Sequence, residues 1–94
     1  MKDLLKKLIQ AAPTAENGEL AAAEVLAEYL AASGVETQID KWSHNRANLT
    51  VRLKSTSNKP ALLFECHLDV VPPGQQPWKL NTFKLLYGTD QLRR

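Results

Sequence analysis

The chain has 94 residues, of which 44% are hydrophobic and 23% are charged, a balance typical of a small globular domain or a piece of a larger one. Its twelve basic and ten acidic residues leave a net charge of +2 without a basic cluster, which argues against binding to nucleic acid. A single cysteine excludes an intramolecular disulfide, and no stretch has the roughly 20 apolar residues of a membrane span, so we expect a cytoplasmic protein.

Two amphipathic helices are predicted in the first third of the chain. In the first, over residues 2–12, apolar residues recur three and four positions apart until a proline ends the pattern. The second, over 18–33, follows Asn17 as its N-cap, has Glu19 in its first turn and ends at Gly34. Its narrow stripe of alanine and leucine predicts close packing against a sheet.

Three strands are predicted after the helices. The sequence "VETQID" over 35–40 alternates apolar and polar residues, "KWSHNR" is predicted to be a loop with His44 on the surface, and a second alternating strand covers 48–54. The run "ALLFEC" with the next histidine, over 61–67, is apolar nearly throughout, which is typical of a strand buried on both faces. The order α-α-β-β-β, with an irregular tail over 72–94, predicts the α/β class.

The apolar run stops at His67, and Asp69 follows two residues later. Because strand side chains alternate, both lie on one face with Glu65, while Cys66 faces the other side and is predicted to be a buried thiol. Imidazole is the commonest metal ligand in proteins, and a carboxylate commonly orients it. On spacing alone, a hydrogen-bonded pair without a metal is favoured over a metal site.

The sequence "FECHLDVVPPG", with Trp78 and Phe83 after it, resembles the first motif of the dizinc metallopeptidase and deacylase family. That family includes acetylornithine deacetylase, succinyl-diaminopimelate desuccinylase, aminoacylase and carboxypeptidase G. Its motif is a hydrophobic strand, a small residue, His-x-Asp-Val-Val-Pro-x-Gly, then a Trp and a Pro-Phe. Here Cys66 replaces the usual glycine and Thr82 replaces the proline. The stretches "PTAENGE" and "RANLTVRL" also match, so the resemblance covers the chain to about Phe83.

The resemblance implies that residues 1–94 are a single partial domain, the N-terminal portion of a mixed-sheet zinc-peptidase catalytic domain. It implies a zinc-dependent amide hydrolase, a deacylase or peptidase that cleaves N-acyl amino acids or short peptides. His67 would bind one of two zinc or cobalt ions, and Asp69 would be the catalytic-site carboxylate that orients its ring. Asp90 is the candidate for the aspartate that bridges both metals, although the family's Arg-Gly before it and Met-Lys-Gly-Gly after it are absent.

Three interpretations follow, because the family's glutamate pair, its other acidic ligand, its last histidine and its dimerisation domain have no counterpart in the sequence. The first is an N-terminal fragment of such a hydrolase, inactive alone and holding at most one metal ion weakly; homodimerisation would use the missing domain. The second is a non-catalytic binding module that keeps the first layer of the fold and associates through an exposed strand edge. The third is a mononuclear metal binder that uses His67 and Asp90.

Overall fold

A computed structural model of the chain describes residues 1–78 and 81–84. In chain order, the elements are helix α1 at Lys2–Gln10, helix α2 at Leu20–Ala32, strand β1 at Thr37–Ser43 and strand β2 at Arg46–Val51. The two strands pair antiparallel, and α2 packs against both of them and against α1. The described chain is therefore mixed α/β in the general sense that the sequence predicts. Neither of its helices is long and apolar enough to cross a membrane.

Helix α1 ends at Gln10, two residues before its predicted end and three residues before Pro13. The N–H of Ala11, the C-cap residue, donates to the Lys7 carbonyl oxygen at 3.0 Å. Ala12 then adopts a φ of 45°, in the left-handed region. Pro13 cannot continue the helix, because it lacks an N–H and its ring clashes with the preceding turn.

Helix α2 begins at Leu20 with Glu19 as its N-cap, so the prediction that Asn17 caps it is wrong. Asn17 instead stabilises the connector between the helices. Its backbone N–H donates to Thr14 Oγ1 at 3.3 Å, and its side-chain amide donates to the Ala12 carbonyl oxygen at 2.9 Å. An asparagine engaged in such local turn bonds is not available to cap a helix three residues further on.

The other end of α2 is closed by Gly34, as predicted. Gly34 has a φ of 77°, and its N–H donates to the Ala31 carbonyl oxygen at 2.9 Å. The N–H of Val35 donates back to the Leu30 carbonyl oxygen at 2.9 Å. These two bonds form a Schellman motif, in which a glycine readily supplies the left-handed residue.

The buried core consists of alanines. Ala22 and Ala23 on α2 and Ala47 on β2 are the buried hydrophobic residues among those that the structure describes. Their short side chains allow the helix backbone to approach the sheet closely, as the alanine stripe predicts. The core is thin, because a buried alanine removes little apolar surface from water.

The hairpin is tighter than the sequence predicts. β1 continues through positions 41–43, which were predicted to be a loop, and only His44 and Asn45 connect it to β2. Asn45 adopts a φ of 57°, a conformation that asparagine tolerates better than most residues, so two residues suffice for the connection. β2 ends at Val51, and Leu53 lies exposed beyond it.

The third predicted strand is absent from the described residues. Positions 61–67 carry no regular secondary structure, and Leu62, Leu63 and Phe64 are between 80% and 86% exposed. Cys66 is also exposed, so the prediction of a buried thiol is wrong. The physical reason is the lack of a paired neighbour: an extended segment becomes a strand only when another strand accepts its backbone hydrogen bonds, and the described sheet ends at β2.

Candidate functional site

The predicted site residues His67 and Asp69 lie on an open groove of about 710 Å³. One wall of the groove is β2, and the other is the extended run of residues 63–69. Side chains of α2, its N-cap and β1 complete the lining through Leu26, Glu19 and Trp42. The groove therefore separates the hairpin from the segment that the sequence predicts as a third strand.

His67 and Asp69 are in direct contact. The Nδ1 atom of His67 lies 2.8 Å from the backbone carbonyl oxygen of Asp69 and 3.2 Å from its Oδ1. Both oxygens are acceptors, so the contact places the proton on Nδ1 and leaves a lone pair on Nε2 of the neutral ring. An imidazole that binds a metal through Nε2 requires this tautomer.

The pair is open to solvent and anchored from one side. The side chains of His67 and Asp69 are 82% and 58% exposed. Directly after them, the N–H of Val70 donates to the Pro13 carbonyl oxygen at 3.0 Å. This bond ties the end of the groove wall to the connector between α1 and α2.

The described residues form only part of a zinc site. Catalytic zinc is usually held by three protein ligands and a water. Across residues 1–78 and 81–84, no three or more His, Cys, Asp or Glu side chains come together in a group that could hold a metal. His67 supplies one imidazole with an orienting oxygen, and no catalytic step follows from that alone. Asp90, the predicted bridging ligand, lies outside the described residues.

A second polar cluster joins the start of α2 to the start of β2. The Glu19 carboxylate accepts from the Arg46 guanidinium at 2.7 Å and from the Ala47 N–H at 3.1 Å, and Arg46 also donates to the Ala15 carbonyl oxygen at 2.8 Å. The hydrogen bond from Arg46 holds the pKa of Glu19 below its ordinary value. Sequence reasoning missed this cluster, because no periodicity links positions 27 residues apart.

Comparison of the chain with protein-family models, with curated proteins and with solved structures found no match. The resemblance to the dizinc hydrolases is therefore one of sequence motif alone, around His67 and Asp69.

Proposed function

We propose that this chain is the N-terminal portion of the catalytic domain of a zinc-dependent amide hydrolase, a deacylase or peptidase for N-acyl amino acids or short peptides. The observation that carries the proposal is the contact of His67 Nδ1 with Asp69, because it leaves Nε2 in the form that binds a metal. The sequence "DVVPPG" that follows supports the same family motif.

In the complete site, His67 is a ligand of one of two zinc or cobalt ions. Asp69 orients the ring and increases the basicity of its ligating nitrogen. Asp90 is the candidate bridging ligand. This chain alone holds at most one ion, and weakly, because His67 is one ligand where three are usual. Hydrolysis then requires further polypeptide that supplies the general base and the remaining ligands.

Isothermal titration calorimetry with zinc tests the metal-binding part of the proposal. We expect weak binding of one ion that is lost in His67→Ala. We expect it to weaken about tenfold in Asp69→Asn, because the carboxylate charge that supports the imidazole is removed. His44→Ala is the matched control, since His44 is the other histidine of the chain and lies exposed on the hairpin turn. Binding that is unchanged in His67→Ala would refute the assignment.

Cys66→Ser separates the imidazole from the neighbouring thiol, which is also exposed. We expect this variant to retain zinc binding. A loss equal to that of His67→Ala would make the thiol a ligand and contradict the site as proposed.

The proposal that this chain is only the N-terminal portion of the hydrolase is tested by an activity assay and by the DNA sequence of the gene. We expect the purified chain with zinc to release no amino acid from N-acetyl amino acids above the uncatalysed rate. We also expect the DNA immediately downstream to encode a Glu-Glu pair and a distal histidine. Hydrolysis by the isolated chain, or a downstream region without those residues, would contradict it.

A further inference from the structure

We propose that the apolar segment, residues 61–66, pairs with the open edge of β2 in a second copy of this chain and so forms a symmetric dimer. In the part of the chain that the structure describes, β2 pairs with β1 alone. Its other edge therefore presents backbone N–H and C=O groups to the groove. Such an edge accepts another extended chain.

The groove runs along the whole of β2. Its lining includes all six residues of β2 on one side and positions 63–69 on the other, and its volume is about 710 Å³. A strand of six residues that enters the groove therefore lies alongside both runs of residues.

The apolar segment is itself the strand that fits this slot. It has the composition of a strand buried on both faces, yet Leu62, Leu63 and Phe64 are exposed. Its length matches that of β2, and the polar stretch at 54–59 precedes it. Within residues 1–78 and 81–84, each copy of the chain therefore has an unpaired edge on β2 and an unpaired extended segment at 61–66.

A two-fold axis between two copies pairs the open edge of β2 and the apolar segment of each copy at the same time. In the resulting six-stranded sheet, the apolar segments of the two copies lie side by side at the centre. The segment of each copy pairs on its other side with β2 of the other copy, and the two β1 strands form the outer edges. Each segment fills the groove of the other copy while it remains a wall of its own groove. The two segments run antiparallel about the axis, as in an isologous interface.

The exposed apolar side chains also favour association. Five large apolar residues of the described chain between positions 53 and 71 are at least 80% exposed: Leu53, Leu62, Leu63, Phe64 and Val71. Apolar residues exposed together in this way commonly mark a surface that contacts another protein. The inference is independent of metal binding by His67.

Sedimentation equilibrium over a range of protein concentrations tests the dimer. We expect a mass of about 21 kDa, twice that of the chain. Leu63→Pro removes a backbone donor and Phe64→Glu places a charge in the paired segment, so both should remain monomeric. Leu5→Glu is the control, because Leu5 is 51% exposed on α1 and lies outside the groove lining. It should dimerise like the unmodified chain.

Far-UV circular dichroism shows whether each variant keeps its two helices. A mass of 10.5 kDa for the unmodified chain at every concentration would overturn the proposal. Dimers of unchanged affinity in both folded variants would also overturn it.

Two further measurements locate the contact. The single cysteine, Cys66, is exposed at the end of the apolar segment and accepts a nitroxide label. If the axis passes between residues 63 and 64, the two Cys66 α-carbons lie about 18 Å apart. In the dimer, hydrogen exchange should slow at positions 61–66 and in β2 together. A much longer distance would place the interface elsewhere, and protection of 61–66 in a monomer would mean pairing with β2 of the same chain; either result overturns the proposal.

Discussion

The Glu19 carboxylate and the Arg46 guanidinium lie 2.7 Å apart, and this ion pair fixes the start of β2 against the start of α2. The two side chains are 12% and 28% exposed, so salt screens them less than it screens a surface pair. Further bonds to the Ala47 N–H and the Ala15 carbonyl oxygen extend the contact to the connector between the helices. Because β2 is a wall of the groove, the pair also fixes the position of that wall.

Replacing Glu19 with glutamine should lower the free energy of unfolding by about 2 kcal/mol, because it weakens two charge-assisted hydrogen bonds and leaves Arg46 without its counter-charge. Urea denaturation followed by circular dichroism measures the change. Glu16→Gln removes the same charge at an exposed position of the same connector, and we expect a change within about 0.5 kcal/mol there. Equal effects in the two variants would show that the ion pair contributes nothing specific.

Glu19 should also make the fold sensitive to acid. The hydrogen bond from Arg46 holds the pKa of Glu19 in the folded chain below its ordinary value of 4.5. Because the pKa of Glu19 is lower in the folded chain, its ionised carboxylate stabilises the fold at pH values above the unfolded-state pKa. This stabilisation is lost as the pH falls through 4.5 towards the folded-state pKa. We expect the urea midpoint to decrease across that window, and less steeply in Glu19→Gln. Identical pH profiles for the two proteins would contradict this role.

Gly18 should tolerate no side chain. Its φ is 83°, and an added Cβ would lie 2.8 Å from the carbonyl carbon of Asn45 and closer still to its oxygen. The same oxygen accepts the N–H of Leu20 at 3.0 Å, so it cannot move aside without breaking that bond. We expect Gly18→Ala to lower the free energy of unfolding by about 3 kcal/mol, from backbone strain and the clash together.

Gly34→Ala is the matched control for that substitution. Gly34 also has a positive φ, of 77°, but an added Cβ would meet no atom of the described residues within 4 Å. We expect a loss of only about 0.5 kcal/mol, because the cost of the left-handed conformation is partly offset by the reduced flexibility of the unfolded chain. If the two substitutions have equal effects in urea denaturation, the close approach of Gly18 to Asn45 does not matter for stability.

The features that the sequence predicts best are those that depend on residues close together in the chain. Both helices lie within two residues of their predicted bounds, because their periodicity and the stop signals at Pro13 and Gly34 are local. The strands shift by two or three residues, since the pairing register sets their ends rather than the alternation. The contact of His67 with Asp69 is likewise local, because only one residue separates them. The metal-binding role of that pair stays a prediction.

Features that depend on distant partners were not predictable from the sequence. The apolar run at 61–67 has the composition of a buried strand, but periodicity does not show whether an edge is present for it to pair with. The ion pair of Glu19 with Arg46 joins two positions with no shared pattern. Both features depend on contacts between segments far apart in the chain, and a single sequence does not show which segments are in contact.

Ala12 should be a site where one substitution stabilises the fold. Its φ of 45° lies in the left-handed region, which costs a residue with a Cβ about 1 kcal/mol. Ala12→Gly removes that strain and keeps the carbonyl oxygen that accepts from the Asn17 amide. Because glycine also makes the unfolded chain more flexible, we expect a net gain of about 0.5 kcal/mol.

The matched control for Ala12→Gly is Ala11→Gly, one residue earlier. Ala11 has a right-handed φ of −65°, so glycine there relieves no strain and adds only unfolded-state entropy. We expect Ala11→Gly to lower the free energy of unfolding by about 0.5–1 kcal/mol, opposite in sign to Ala12→Gly. Urea denaturation of the two variants side by side measures both changes. A loss of stability in both would show that the left-handed turn after α1 carries no strain that glycine relieves.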